Sequence, residues 1–351
     1  MAGVLIDPTR APVAFGQRGV PRLFAELQQP DTGGRQRALA SLCDLMHDPE
    51  RVHQTVKGGF LAQLEVLLRD EDPSVRTETC ELLHLLSAHD LGRRAVLSSS
   101  LLPPVSRLLD DSSSSCRRSV HRVLHRLALR PAGADALLTL VPKLMMKLRK
   151  EEEEEEEEEV QVLLLSTLSC CSRLDALPAL ASDGVSLLGR KLAHRSTNIR
   201  REAAAAMMAL SVTEVGKRQV CEEAVLPVLV GLLQDEDIEV QANAAGAIMY
   251  TVIIATGKQK CLDLDVVPVL LDLVSKKKEE EEEEDMEKRR RRKALVMYSL
   301  RALTALAEAP DGRRLLLEQL PLLVRRSEAA EEDRDIRRAA KTAIKVVTWT
   351  P

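Results

Sequence analysis

Val225-Leu-Pro-Val-Leu-Val-Gly-Leu-Leu233, followed by Gln234-Asp-Glu-Asp-Ile-Glu239 and Ala242-Asn-Ala-Ala-Gly-Ala-Ile-Met-Tyr250, carries the whole architecture in miniature. In the first string apolar residues fall at i, i+3, i+4 and i+7, the period of a helix with one buried stripe. The acidic string has the turn-prone character that closes one helix and opens another. The third string is rich in small residues, so it predicts a helix that approaches its neighbours closely. Pro227 suits a first helical turn, where its missing N–H costs nothing.

The same block recurs. Its openings are Val20-Pro21, Phe60-Leu61, Leu102-Pro103, Val141-Pro142, Val185-Ser186, Leu226-Pro227, Val267-Pro268 and Leu320-Pro321, spaced 40, 42, 39, 44, 41, 41 and 53 residues apart. A glycine recurs before the next opening, at Gly92, Gly133, Gly216, Gly257 and Gly312. Two or three helices in such a period are the armadillo/HEAT signature, and the reading is an all-α, right-handed solenoid of about eight repeats. One such unit is too small to order itself, so stacking on neighbours supplies its stability, and the whole chain is expected to form one continuous solenoid.

Residues 1–19 read as an N-terminal leader and 20–351 as the solenoid. Two charge runs interrupt it, nine glutamates at Glu151–Glu159 and a mixed insertion at 276–293 that lengthens the seventh unit. Like charges in a row repel and resist burial, so both read first as solvated loops and second as electrostatic contacts for a partner. Arg289–Lys293 is a candidate import signal, but Glu284 with Lys288 and Glu287 with Arg291 favour a self-neutralised helix.

A net charge of −4 gives no global basic field for nucleic acid, and 2 % aromatic residues leave few stacking platforms. Seven scattered cysteines in apolar helical patterns read as buried reduced thiols. The first eight residues lack signal-peptide character, and no apolar stretch is long enough to span a bilayer. A soluble intracellular chain is expected, with no membrane partner.

No catalytic constellation emerges. His121 and His125 are four apart near Cys116 but lack a further ligand or a carboxylate base, and read as surface histidines. Cys43 and His47 read as core and rim, and Gly257-Lys258 lacks the rest of a phosphate loop. The expectation is no enzyme, no cofactor, no metal and no small-molecule substrate.

Armadillo solenoids present their third helices along a concave face. Nuclear-import adaptors line it with a Trp and an Asn four residues apart. The equivalent pairs assigned here are Arg37/Ser41, Glu81/Leu85, Arg122/Arg126, Leu163/Thr167, Ala205/Ala209, Gly246/Tyr250 and Arg301/Ala305. Neither the Trp nor the Asn occurs, so the clamp for an extended basic peptide is missing. The candidate partner-binding groove is small in its centre (Ala205, Ala209, Gly246, with Tyr250), with Arg37, Arg122, Arg126 and Arg301 placed to meet acids. The competing reading is that the small residues only permit tight packing within the solenoid.

Ala14-Phe-Gly-Gln-Arg-Gly-Val-Pro21, Ala40-Ser-Leu-Cys-Asp-Leu-Met-His-Asp-Pro-Glu50, Ala242-Asn-Ala-Ala-Gly-Ala-Ile-Met249 and Leu306-Ala-Glu-Ala-Pro-Asp-Gly-Arg-Arg314 resemble the radial spoke head 14 homolog family, also known as the rhabdoid tumor deletion region family. The likeness runs from about residue 12 to about residue 347 in the same order. It implies an armadillo-repeat component of the radial spokes of motile cilia and flagella, with other spoke proteins as partners and the cytoplasm, cytoskeleton and axoneme as its place. The glutamate run and the charged insertion depart from the family pattern. A soluble armadillo adaptor in signalling or nuclear transport is the alternative.

Overall fold

Asp72 and Pro73 show how a helix begins in this protein. The Asp72 carboxylate accepts from the backbone N–H of Ser74 at 2.7 Å and of Val75 at 3.3 Å, while Pro73 takes the first helical position. Two orphan amides are thereby satisfied, and the negative charge sits at the positive end of the helix dipole. Side-chain capping of the first amides recurs at Asp31, Asp48, Ser113, Ser196, Thr213, Asp237 and Asp333, with a following Pro again at Asp48. The stretch Cys43 to Glu50 is one such junction. Met46 closes a helix, and Asp48 and Pro49 open the next.

The computed structural model describes residues 19–150, 157–275, 286–329 and 333–349. The leader, most of the glutamate run and the first part of the charged insertion lie outside them. The described residues are helices, turns and connections, and contain no strand. The chain divides into two compact units, Met1–Leu140 and Val141–Pro351.

The first unit holds α1 (Gly19–Glu26), α2 (Thr32–Leu45), α3 (Pro49–Lys57), α4 (Leu61–Leu67), α5 (Pro73–Ala88), α6 (Asp90–Ser98), α7 (Leu102–Arg107), α8 (Ser114–Ala128) and α9 (Pro131–Leu137). The second holds α10 (Val141–Lys150), α11 (Glu158–Leu174), α12 (Leu177–Leu180), α13 (Gly184–Leu192), α14 (Thr197–Leu210), α15 (Glu214–Glu222), α16 (Leu226–Leu232) and α17 (Ile238–Thr251). It continues with α18 (Ala255–Asp263), α19 (Val266–Ser275), α20 (Met286–Leu306), α21 (Pro310–Glu318), α22 (Leu320–Glu328) and α23 (Arg334–Val347). The pattern is a short first helix, a second helix starting at the sequence-defined opening, and a longer third helix. Third helices pack on third helices: α2 on α5 and α5 on α8 in the first unit, and α11, α14, α17, α20 and α23 in succession in the second.

Two devices lock the stack. The first is an arginine clasp near the start of the third helix. Arg76 grips Asp111 with two bonds of 2.7 and 2.8 Å and also donates to the carbonyls of Asp70 and Glu71. Arg200 repeats this on Asp235, His194 and Arg195, and Arg35 on Asp70, Gln29 and Pro30. One side chain thus ties its own turn to the next unit, and the bidentate geometry is what a planar guanidinium does best.

The second device is the recurring glycine. A Cβ on Gly216 would lie 1.9 Å from the carbonyl oxygen of Leu210, six residues back, so the chain turns between helices too tightly for any side chain. Gly92, Gly133, Gly257 and Gly312 meet the same carbonyl at 2.0–2.2 Å. The cation that follows joins in. Arg93 donates to Ser87 O at 3.0 Å, Lys258 to Ile253 O at 3.4 Å and Arg313 to Ala307 O at 3.1 Å. Gly257 and Lys258, in the first turn of α18, thus fold back on the end of α17, placing positive charge at the negative end of its dipole.

His121 corrects the sequence reading. It is buried, with 2 % of its surface exposed, because a third helix is covered by neighbouring third helices as well as by its own unit. One-face exposure fails there. Cys80, Cys116, Cys171, Cys221 and Cys261 are buried, Cys43 and Cys170 are half-buried, and all seven are free thiols.

Candidate protein-binding face

The third helices of each compact unit hold the positions singled out from sequence. Only some of them remain available. Arg122 lies across α8 and α5, its Nη1 2.7 Å from a Glu81 carboxylate oxygen. Arg126 donates to Nε2 of His84 at 3.3 Å, and Nδ1 of His84 is 3.1 Å from the Arg122 carbonyl. Burial pushes the His84 imidazole below its ordinary range, and it does the same to His125, helped there by the charge of Arg126. Both arginines are thus spent on neighbours within the first unit.

Arg37 lies 3.5 Å from Asp31, strongly exposed, and Ser41 is buried. The clasp arginines give the register: Arg35 is the counterpart of Arg76 and Arg200. Five residues on from each come Ala40, Glu81 and Ala205, so Ala40 and Asp44 hold the positions assigned to Arg37 and Ser41. The Ala38-Leu39 core pattern fits two helical registers, and only the inter-repeat pair separates them.

In the second unit Ala205, Ala209 and Gly246 are buried. A Cβ on Gly246 would lie 2.2 Å from the Met208 sulfur and 3.3 Å from a Tyr298 ring carbon. The close approach that glycine permits is thus filled by the protein's own side chains from α14 and α20. Thr167 is buried too, its hydroxyl donating to Leu163 O at 2.7 Å. Tyr250 stays half-exposed.

A chain of charges crosses the same face. Arg201 reaches Asp237 at 2.6 Å and Glu239 at 3.5 Å, and Arg291 reaches Glu239 at 3.0 Å and Glu287 at 3.8 Å. The sequence-predicted Glu287–Arg291 pair exists, and Arg291 also crosses to α17. Glu202, beside this network, is held above the usual carboxylate range by burial.

Arg301 stands apart. It is exposed and lines a cleft of about 700 Å³ between α20 and α23, with Arg338 entering from the other helix. Sequence reasoning missed Arg338. It sits in a short terminal unit whose repeat pattern is weak, and only its placement opposite Arg301 marks it.

Among the described residues no group of three or more His, Cys, Asp or Glu is arranged to hold a metal ion. Burial and the nearby Glu81 push the Cys43 thiol far up, the opposite of what a nucleophilic thiolate needs. No described helix is long and apolar enough to cross a membrane.

Stacked three-helix units whose third helices pack in succession define a repeat-solenoid class of molecule, a scaffold-like fold consistent with protein binding. Residues 76–279 match the family model described as dynein axonemal assembly factor 5-like, TPR repeats, and the chain belongs to that family. Solved structures agree on the fold. An engineered protein matches with a TM-score of 0.74 at 20 % identity, covering 95 % of this chain and 89 % of its own. Two designed armadillo repeat proteins, one of them in complex with the peptide (KR)4, match with TM-scores of 0.60 at 20 and 21 % identity. Each covers 66 % of this chain and 99 % of its own. The family description names a two-helix repeat, whereas most units here carry three helices and the sequence spacing is near forty residues, which is the armadillo arrangement.

Proposed function

We propose that this chain is a non-enzymatic structural scaffold of the radial spoke complex in the axoneme of motile cilia and flagella. In this reading it holds spoke subunits at fixed spacing and supports control of dynein-driven motility. The observation that carries it is the ordered set of sequence strings from Ala14 to Arg314 resembling the radial spoke head 14 homolog family. The matching family model, with its axonemal description, supports the same cellular setting. Proteins of similar fold supply the physical role, since one designed armadillo neighbour is complexed with a peptide. A repeated stack with inter-unit clasps resists bending because each unit gains its stability from the next.

The family description also favours a second reading, a soluble factor that assists assembly of axonemal dynein. That role is close to the soluble armadillo adaptor that the sequence leaves as the alternative. Tagged protein in multiciliated or sperm-forming cells, imaged before and after detergent extraction, separates them. Axonemal signal that survives detergent is the expected outcome. A diffuse signal that washes out overturns the spoke reading in favour of the soluble factor.

A further inference from the structure

The cleft between α20 and α23 in the second unit is lined by two exposed arginines, one from each helix. Arg301 and Arg338 line it with Ala305 and Ala339, small residues that leave the walls open to an incoming backbone. The hydroxyls of Thr304 and Thr342 are turned to carbonyls of their own helices, Leu300 at 2.7 Å and Arg338 at 3.0 Å. Two carboxylates also border the cleft, and each is engaged by a lysine rather than by an arginine, Asp335 sharing Lys293 with Asp333. Glu308 is 2.5 Å from Lys258 Nζ, and Asp335 is 2.5 Å from Lys293 Nζ. Neither arginine has a carboxylate partner among the described residues. Two guanidiniums therefore share one cleft without a carboxylate bonded to either, an arrangement that an incoming pair of carboxylates satisfies.

We propose that this cleft docks an acidic, Glu- or Asp-rich segment of a partner protein, with Arg301 and Arg338 each taking one carboxylate. The proposal rests on the protein-scaffold reading and gives it a partner chemistry. The sign is opposite to that of the (KR)4 peptide held by the designed neighbour. A long polyanion such as nucleic acid is disfavoured, because it would run over Glu308 and Asp335 on a chain of net charge −4. A short acidic segment meets the two arginines and stops.

The test is fluorescence polarisation with the full-length chain and a labelled dodecapeptide of alternating Glu and Ala, at about 50 mM salt. Saturable binding is expected, with none to the Gln counterpart. The double variant Arg301→Glu with Arg338→Glu is expected to weaken binding at least about tenfold and to bind a Lys/Ala peptide instead. Arg314→Glu is the control, since Arg314 is exposed on α21, outside the cleft, and lies 3.2 Å from Asp311 of its own helix. Unchanged affinity in the double variant, or an equal loss in Arg314→Glu, overturns the proposal. So does tighter, equally variant-sensitive binding of single-stranded DNA. Peptide binding that emerges only after Glu151–Glu159 is replaced by serines assigns the cleft to the chain's own run and overturns a partner. If the double variant unfolds, hydrogen exchange on the unaltered protein decides, and absence of peptide-dependent protection at 297–308 and 335–342 overturns the docking. These measurements do not involve the axoneme, so their failure beside a detergent-resistant axonemal signal removes the cleft alone.

Discussion

Nε2 of His84 on α5 lies 3.3 Å from the Arg126 guanidinium on α8, and this contact fixes the imidazole as neutral. A guanidinium only donates, so Nε2 accepts and the proton sits on Nδ1, directed at the Arg122 carbonyl 3.1 Å away. Protonation would place an N–H against Arg126; burial first, then the charges of Arg122 and Arg126, disfavour it against the pull of the Arg122 carbonyl and of Glu81.

A pH dependence follows. The folded pKa of His84 is depressed below its ordinary 6.5, first by burial. The unfolded chain therefore takes the proton first as pH falls. The contribution is fully present above about pH 6.5 and is lost as pH drops through the depressed folded value. Urea midpoints followed by circular dichroism should be level above that pH and decline below it. His84→Gln should flatten the part of the decline that His84 causes, and an unaltered slope in that variant would refute the assignment.

Glycine substitutions should split in sign. Gly216→Ala drives a Cβ onto the Leu210 carbonyl and should cost about 2–4 kcal/mol, against the gain that alanine normally brings to a helix. Gly231, in α16, has no atom within 4 Å of a built Cβ, so Gly231→Ala should be neutral or stabilising by about 0.5–1 kcal/mol. Thermal unfolding of the two variants side by side reads both. Equal behaviour would remove the steric account of the recurring glycine.

The inter-repeat clasp is testable by a double-mutant cycle on Arg200 and Asp235, whose side chains are 14 % and 6 % exposed. Asp235→Ala should destabilise by about 2–3 kcal/mol, because Arg200 loses its partner in a mostly buried site. A coupling energy of about 1–2 kcal/mol between the two positions is expected. Coupling near zero would mean that the arginine acts only through the His194 and Arg195 carbonyls.

Reversal of the first-unit arginines should behave differently from reversal in the C-terminal cleft. Arg122→Glu with Arg126→Glu sets new carboxylates beside Glu81 and takes the donor away from His84, so it should lower the free energy of unfolding by about 1–2 kcal/mol. On sequence grounds this pair is expected to release a partner without unfolding the protein. The ion pair and the imidazole contact give it a structural role as well. Binding of the Glu/Ala peptide should be unchanged in this variant, and peptide release by it would move the docking site to the first unit.

The sequence by itself determined the helices, their order and the period. Apolar spacing, Asp-Pro junctions and the recurring glycine all act within a few residues, and local sterics and hydrogen bonding suffice to read them. Even the Gly-Lys and Gly-Arg pairs were visible, though their role at the end of the preceding helix needed the carbonyl six residues back to be in place. Tertiary structure alone decided which arginines are free. Arg122, Arg200 and Lys293 meet carboxylates 35 to 42 residues away, and no local pattern announces such a pair. The same long-range contacts buried His121, shifted the register of α2 from Arg37 to Ala40, and filled the space beside Gly246 with Met208. They also left Arg301 facing Arg338. Which charges remain unpaired on a solenoid is set by how its repeats stack, and stacking joins residues that the sequence keeps a full unit apart.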